Sequence, residues 1–309
     1  MNQFPILLKR EFWEHRNTFI VLPLVTTGFM ILMMVGFYIA VDIGGINADI
    51  TPDRDGSSHQ VTRDEVHADE AFELMLSKLA SLPPSEREHK LYKILNGLGT
   101  PLLVILSIVV FFYLIVSLYN DRKDRSILFW KSMPVSDINT VAAKLVTALL
   151  LVPAVYLVCL AVVQLVFLII ASLAAMGQDV SIWAALWEPS NLVGRWLTLI
   201  VYVLFQAIWN LPFYGWMILV SAWANSVPLA WIIGIPIAFS VAERIVSDDN
   251  LVSAWFASHA SPVVIAHDQE LQITDLLPRL LDIDTILGLS VGLVFVCGAI
   301  WLMGRGDEI

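Results

Sequence analysis

Residues 119–137 read YNDRKDRSILFWKSMPVSD, and their reading decides the fold. An apolar run, Leu98–Leu118, precedes them, and a second, Val141–Ile170, follows. A charged stretch of this length between two runs long enough to cross a bilayer is the corner between two membrane helices, since about 20 apolar residues span the hydrocarbon core. Working outward, further runs occupy Phe19–Val41, Trp196–Ala224, Val227–Val246 and Thr285–Gly304. None shows the dyad alternation of barrel strands. The fold class expected is an all-α membrane protein of six transmembrane helices, because helices satisfy their own backbone groups in lipid.

Composition agrees. Hydrophobic residues make up 58% and charged residues 15%, against roughly 45–50% and 25% in soluble domains. The mean hydropathy is +0.74. The net charge is −10, and no nucleic-acid partner is expected. Both cysteines, Cys159 and Cys297, fall inside apolar runs and read as inert core thiols.

Short loops orient the chain. Lys9, Arg10, Arg16, Arg122, Lys123, Arg125, Lys131, Lys144 and Arg305 share one side, against Arg195, Arg244 and Arg279 in short loops on the other. The positive-inside rule places both termini in the cytoplasm. Lys9, Arg10 and Arg16 before an apolar run of this length describe an uncleaved first span rather than a signal peptide.

Residues 1–18 set Phe4, Ile6, Leu7, Leu8, Phe12 and Trp13 among charges, the pattern of an amphipathic helix in the membrane interface. The six-span domain then covers 19–309. Residues 42–97 form a small helical outer segment: capping boxes at Thr62–Glu65 and Ser85–Glu88 start two helices, and Asn96-Gly97 is the expected stop before span two. Asn225-Ser226 is a tight inner turn.

Motifs of soluble catalysis are missing. No HExxH, GxSxG, CxxC or GxxxxGK[ST] occurs, so this chain brings no P-loop of its own. His59 and His67, like His259 and His267, are eight residues apart, too far along one helix to share a metal; they read as solvated loop histidines, and no metal site is expected. Inside the spans, Gln164, Gln206 and Asn210 are the notable amides. Gln206 and Asn210 share a helix face, and Tyr202, Trp209, Trp216 and Trp223 recur every seven residues. This face is a candidate substrate path or subunit seam, with plain helix packing as the alternative. Ala230, Gly234 and Ala238, and likewise Gly288 and Gly292, have the small-residue spacing of close helix packing, within one chain or between two. Glu243-Arg244 near the outer end of span five reads as a snorkelling pair, or as part of an intramembrane enzyme with His259 or His267.

The charged corner itself is expected to form a short helix over 121–133, ended by Pro134, with Ser136 or Asp137 capping the next helix. It presents Arg122 and Arg125 beside Phe129 and Trp130, groups suited to a partner's groove. This segment, continuing as MPVSDINTVAAKL, together with the entry LLKREFWEHR and six spans, resembles the permease subunits of ABC-2-type transporters. The resemblance implies a cytoplasmic coupling helix that seats on a separate ATP-binding subunit through Asp121, Arg122, Asp124, Arg125, Phe129, Trp130, Lys131 and Pro134. Asp124-Arg125 falls on the family's acidic-basic pair and Lys144 on the lysine that opens span three. It further implies two ATP-binding subunits holding ATP and magnesium, and a second permease chain. The chain itself would be no enzyme and would bind no cofactor. It would work as an exporter subunit among the lipids of a bacterial inner membrane. The family places its large outer segment between spans five and six; here the longest lies between spans one and two. The alternative function is a membrane anchor or assembly factor that recruits an ATPase and an outer-face protein without moving a solute.

Overall fold

The apolar run before the corner does not start at Leu98. In the computed structural model Pro84–Lys123 (α3) is one helix of 40 residues. The model describes residues 4–44, 78–79, 81–123, 136–176, 181–247, 249–261 and 273–305. Asn96-Gly97 therefore does not stop a helix. Thr100 Oγ1 donates to Asn96 O at 3.1 Å, and the helix passes through Pro101. The expected second outer helix and span two are one element. The first outer helix, after Thr62, lies outside the described residues.

The other helices are α1 (Phe4–Glu14), α2 (Leu22–Gly44), α4 (Asp137–Val146), α5 (Val152–Ala174), α6 (Leu192–Trp209), α7 (Leu211–Trp223), α8 (Pro228–Ser247), α9 (Leu251–Ser258), α10 (Ile273–Leu280) and α11 (Ile283–Arg305). Among the described residues there is no strand. Six helical stretches are long and apolar enough to cross a membrane, as a multi-pass membrane protein requires.

Three widened π turns interrupt the helices, at Asn17–Val21, Thr147–Leu151 and Trp183–Trp187. Each ends two residues before a proline: Pro23, Pro153 and Pro189. A proline lacks the N–H for its i−4 bond and its ring crowds that carbonyl. Inserting one residue into the preceding turn relieves the crowding without ending the helix. Thus Asp137–Ala174 continues as one span across the turn at 147–151. Ser136 Oγ accepts from Asn139 N at 3.3 Å and caps α4 as expected.

The fourth of the six stretches is Trp183–Trp209 rather than the expected Trp196–Ala224, and Leu211–Trp223 is a separate, shorter apolar helix, so the expected span four is not continuous. It breaks at Asn210, between α6 and α7, one residue after Trp209 and two before Pro212. After α7 the chain turns through Asn225 and Ser226, and Val227 takes φ +39°, a strained conformation for a β-branched residue.

The chain divides into two compact units. One holds Met1–Pro23, Leu103–Leu157 and Trp196–Ile309; the other holds Leu24–Leu102 and Val158–Arg195. In the first, α7 packs on α11 through glycines. A Cβ on Gly215 would stand 2.8 Å from Gly292 O, and one on Gly292 would stand 2.7 Å from the Leu211 carbonyl carbon. The Gly288/Gly292 pair therefore serves a contact within the chain. Gly234 has open space at its Cβ, and Ala230 and Ala238 are exposed, among the described residues. In the second unit Leu91, Leu95, Leu102, Val163 and Leu168 form the core. Arg87 donates to the carbonyls of Leu79, Leu82 and Ala184. Arg195 donates to Tyr92 O and Asn96 Oδ1 while lying over the Tyr92 ring. Cys159 is buried here, whereas Cys297, in the first unit, is exposed rather than in a core.

Candidate functional site

Lys144 lies among Val141, Ala143 and Leu145, all buried, at the entrance of span three. An unpaired ammonium there would be costly. It is 2% exposed and holds two carboxylates: Glu11 Oε1 at 3.0 Å and Asp121 Oδ2 at 3.0 Å. Glu11 is 1% exposed, and both of its oxygens are filled. Oε1 accepts from Lys144 and from Arg10 Nη2 at 2.6 Å, and Oε2 accepts from Tyr113 OH at 3.0 Å. Two carboxylates thus face two cations, which is the condition under which buried charge is tolerated.

The cluster joins three elements. Glu11 comes from α1, Tyr113 and Asp121 from α3, and Lys144 from α4. Around it His15 meets the rings of Phe19 and Tyr113, which also meet each other edge-on at 5.1 Å. Burial pushes Glu11 up, but Lys144 and Arg10 outweigh it and hold the carboxyl below its ordinary value. For His15 burial wins over the attraction of Glu11, and the imidazole is held below its ordinary value.

Arg122 makes the neighbouring contact. Its Nη2 donates to Ser221 O at 2.9 Å and Ala224 O at 2.6 Å, the last carbonyls of α7. Ser221 Oγ in turn accepts from the backbone N–H groups of Leu118 and Tyr119. Asp121 and Arg122 lie in the last described turn of α3, continuous with span two, and their side chains tie that turn to α4 and α7. Asp124, Arg125, Phe129, Trp130, Lys131 and Pro134 lie outside the described residues. What the structure gives is the root of that segment: Asp121 and Lys144, on its two flanks, are an ion pair.

The second candidate face is drawn together at the break in span four. Gln206 Nε2 donates to Asn210 Oδ1 at 2.6 Å, and Asn210 Nδ2 donates to Tyr214 OH at 3.1 Å. This chain of three polar groups runs along one face across the break. Trp209 Nε1 donates to Ser258 O of α9. His259 is not a solvated loop histidine: it is 0% exposed. Its ring stacks on Trp209 at 4.2 Å and lies 4.5 Å from the Trp255 ring. Nδ1 is 2.9 Å from Trp255 O, while Nε2 is buried without a partner among the described residues.

Trp216, further along α7, contacts α8 and α11. Its Nε1 donates to Ile232 O of α8, and its ring meets Phe295. Gln164 stands apart in the other unit, buried, and donates to Leu95 O between helices. His267 lies outside the described residues, and Glu243 has a structural partner. Its carboxylate accepts from Val252 N at 2.7 Å and Ser253 N at 3.0 Å and so caps α9 from the end of α8. Among the described residues no group of three or more His, Cys, Asp or Glu is placed to hold a metal.

Glu11 and Tyr113 were missed by reading the sequence, because a glutamate in an amphipathic segment counts as its polar face. The available signal was Lys144, a lysine between apolar neighbours with no acid three or four residues away on its own helix. No protein-family model, characterised protein or solved structure matches this chain.

Proposed function

We propose that this chain is the membrane-spanning permease subunit of an ATP-driven ABC exporter of the ABC-2 type. ATP would be hydrolysed on two separate ATP-binding subunits, with magnesium, and a second permease chain would complete the assembly in a bacterial inner membrane. One observation supports this reading above the others: the two helices flanking residues 124–135 are locked to each other and to α1 by the buried Glu11–Lys144–Asp121 cluster. A segment that receives a push from a partner needs rigid roots, or the push is lost in local bending. Arg122, bonded to the end of α7, extends the same root to span four. In this reading Asp124, Arg125, Phe129, Trp130, Lys131 and Pro134 make the docking contact, and Asp121, Arg122 and Lys144 transmit it. The Gln206–Asn210–Tyr214 face at the broken helix is the cargo-facing candidate, since interrupted membrane helices offer polar groups at depth.

The test is isolation of the tagged chain from its native membrane. We expect an ATPase carrying a P-loop to come with it in equal amount and to be lost on Arg125→Glu or Trp130→Ala. A chain that purifies alone, with no ATPase recovered by cross-linking, overturns the proposal.

A further inference from the structure

Within the first unit α7 turns one face, Trp216, Leu219, Val220 and Trp223, towards Leu302 of α11, and together they line an open cleft of about 230 Å³. These positions are three and four residues apart, one stripe of the helix. The surface facing the cleft is apolar throughout, and the indole N–H of Trp216 is turned away to Ile232 O. Water has no partners there, and a dry slot of this size forfeits dispersion contacts along its walls. The cleft lies at the basic end of the unit, near where Arg122 bonds the end of α7. Arg305 follows Leu302 by one turn on the same helix, its guanidinium stacked over Trp301 at 4.0 Å. Lys144 is held by carboxylates and Arg122 by backbone carbonyls, whereas Arg305 makes no ion pair among the described residues. An apolar slot with one cationic edge, flanked by Trp223 and Trp301, has the chemistry of an anionic phospholipid: acyl chain in the slot, phosphate at the arginine.

We infer that the α7–α11 cleft is a binding site for one acyl chain of an anionic glycerophospholipid whose headgroup pairs with Arg305. The inference rests on the apolar helices and the cleft alone, and stands or falls independently of any ATPase. The site would hold a lipid against α7, the helix that Arg122 ties to α3.

The full chain, in nanodiscs of phosphatidylcholine containing phosphatidylglycerol with a photoreactive acyl chain, is irradiated and the labelled peptides are mapped. Labelling of 216–223 and 302 should exceed that of the exposed Phe29–Phe37 face of α2 and should fall on adding unlabelled phosphatidylglycerol. Leu219→Trp, which fills the slot, should abolish the excess. Arg305→Gln, an exposed change, should keep the labelling but lower the preference for phosphatidylglycerol over phosphatidylcholine by about fivefold. Equal labelling of the α2 face, labelling that unlabelled lipid does not displace, or cross-links from the cleft to a second copy of the chain would each overturn the inference. Should Leu219→Trp fail to fold, the displacement and Arg305→Gln arms decide it.

Discussion

At the scale of single residues the Glu11–Lys144 pair sets the terms. Breaking a buried ion pair from one side leaves a bare charge, at a cost of about 3–5 kcal/mol, whereas removing both partners is far cheaper. Lys144→Met should therefore lower stability by roughly that amount, measured by denaturant unfolding in detergent, and Glu11→Gln in the same chain should restore a large part of it. If the double variant is as unstable as the single one, packing rather than charge holds this site. Acid should act on the same cluster. Glu11 is held below its ordinary value of 4.5, so its contribution is present above that pH and lost as pH falls through the lower folded value. His15 is held below its ordinary 6.5, so the folded state prefers the neutral ring. Its contribution is present above 6.5 and falls as pH drops from there towards the folded value. Stability should decline in two stages on acidification, and His15→Gln should remove only the upper stage. A flat profile between pH 7 and 5 in the parent chain would contradict this assignment.

At the scale of elements, identical sequence patterns separate. Gly292 and Gly234 both sit in small-residue repeats, yet only Gly292 has backbone within contact of its missing Cβ. Gly292→Ala should cost about 1–3 kcal/mol through overpacking at Leu211. Gly234→Ala should be neutral or stabilising by up to about 1 kcal/mol, because it only removes helix-interior glycine entropy. Thermal unfolding of the two variants side by side checks this. Such differences explain how much of the fold was legible. The six apolar runs, the Ser136 cap and the tight turn at Asn225-Ser226 follow from composition, capping chemistry and loop length, which are local. That Asn96-Gly97 would be crossed by a helix is not local: in this unit Leu95 O holds Gln164 and Asn96 Oδ1 holds Arg195, so tertiary partners override the stop signal. Gln206 and Asn210 were legible as one face, but the buried stacking of His259 on Trp209 required α9 to fold back, which no periodicity announces. The π turns were legible only in hindsight, through Pro23, Pro153 and Pro189.

At the scale of the whole molecule, the proposed function puts docking and transmission on different residues, and that division is testable. Under the proposed function, residues 124–134 meet the ATPase, while Glu11, Asp121 and Lys144 make the roots of that segment stiff. Altering the docking residues should abolish binding. Altering the root should leave binding and slacken the relay. Glu11→Gln keeps the size and one acceptor oxygen but withdraws the charge that Lys144 and Arg10 face and the second acceptor that Tyr113 OH uses, so α1 loosens while the 124–134 surface is chemically unchanged. The expected result is an assembly that still co-purifies with its ATPase in equal amount and still hydrolyses ATP, but whose hydrolysis no longer drives the opening of the membrane helices. Opening is read by accessibility of a cysteine placed at Tyr214, beside the Asn210 break, to a membrane-impermeant thiol reagent with and without ATP. In the parent assembly ATP should change that accessibility; with Glu11→Gln the change should shrink several-fold, and with Arg125→Glu it should vanish along with binding. If Glu11→Gln preserves the full ATP-dependent change, the buried cluster is a fixture of stability alone, and transmission must run through Arg122 and the end of α7.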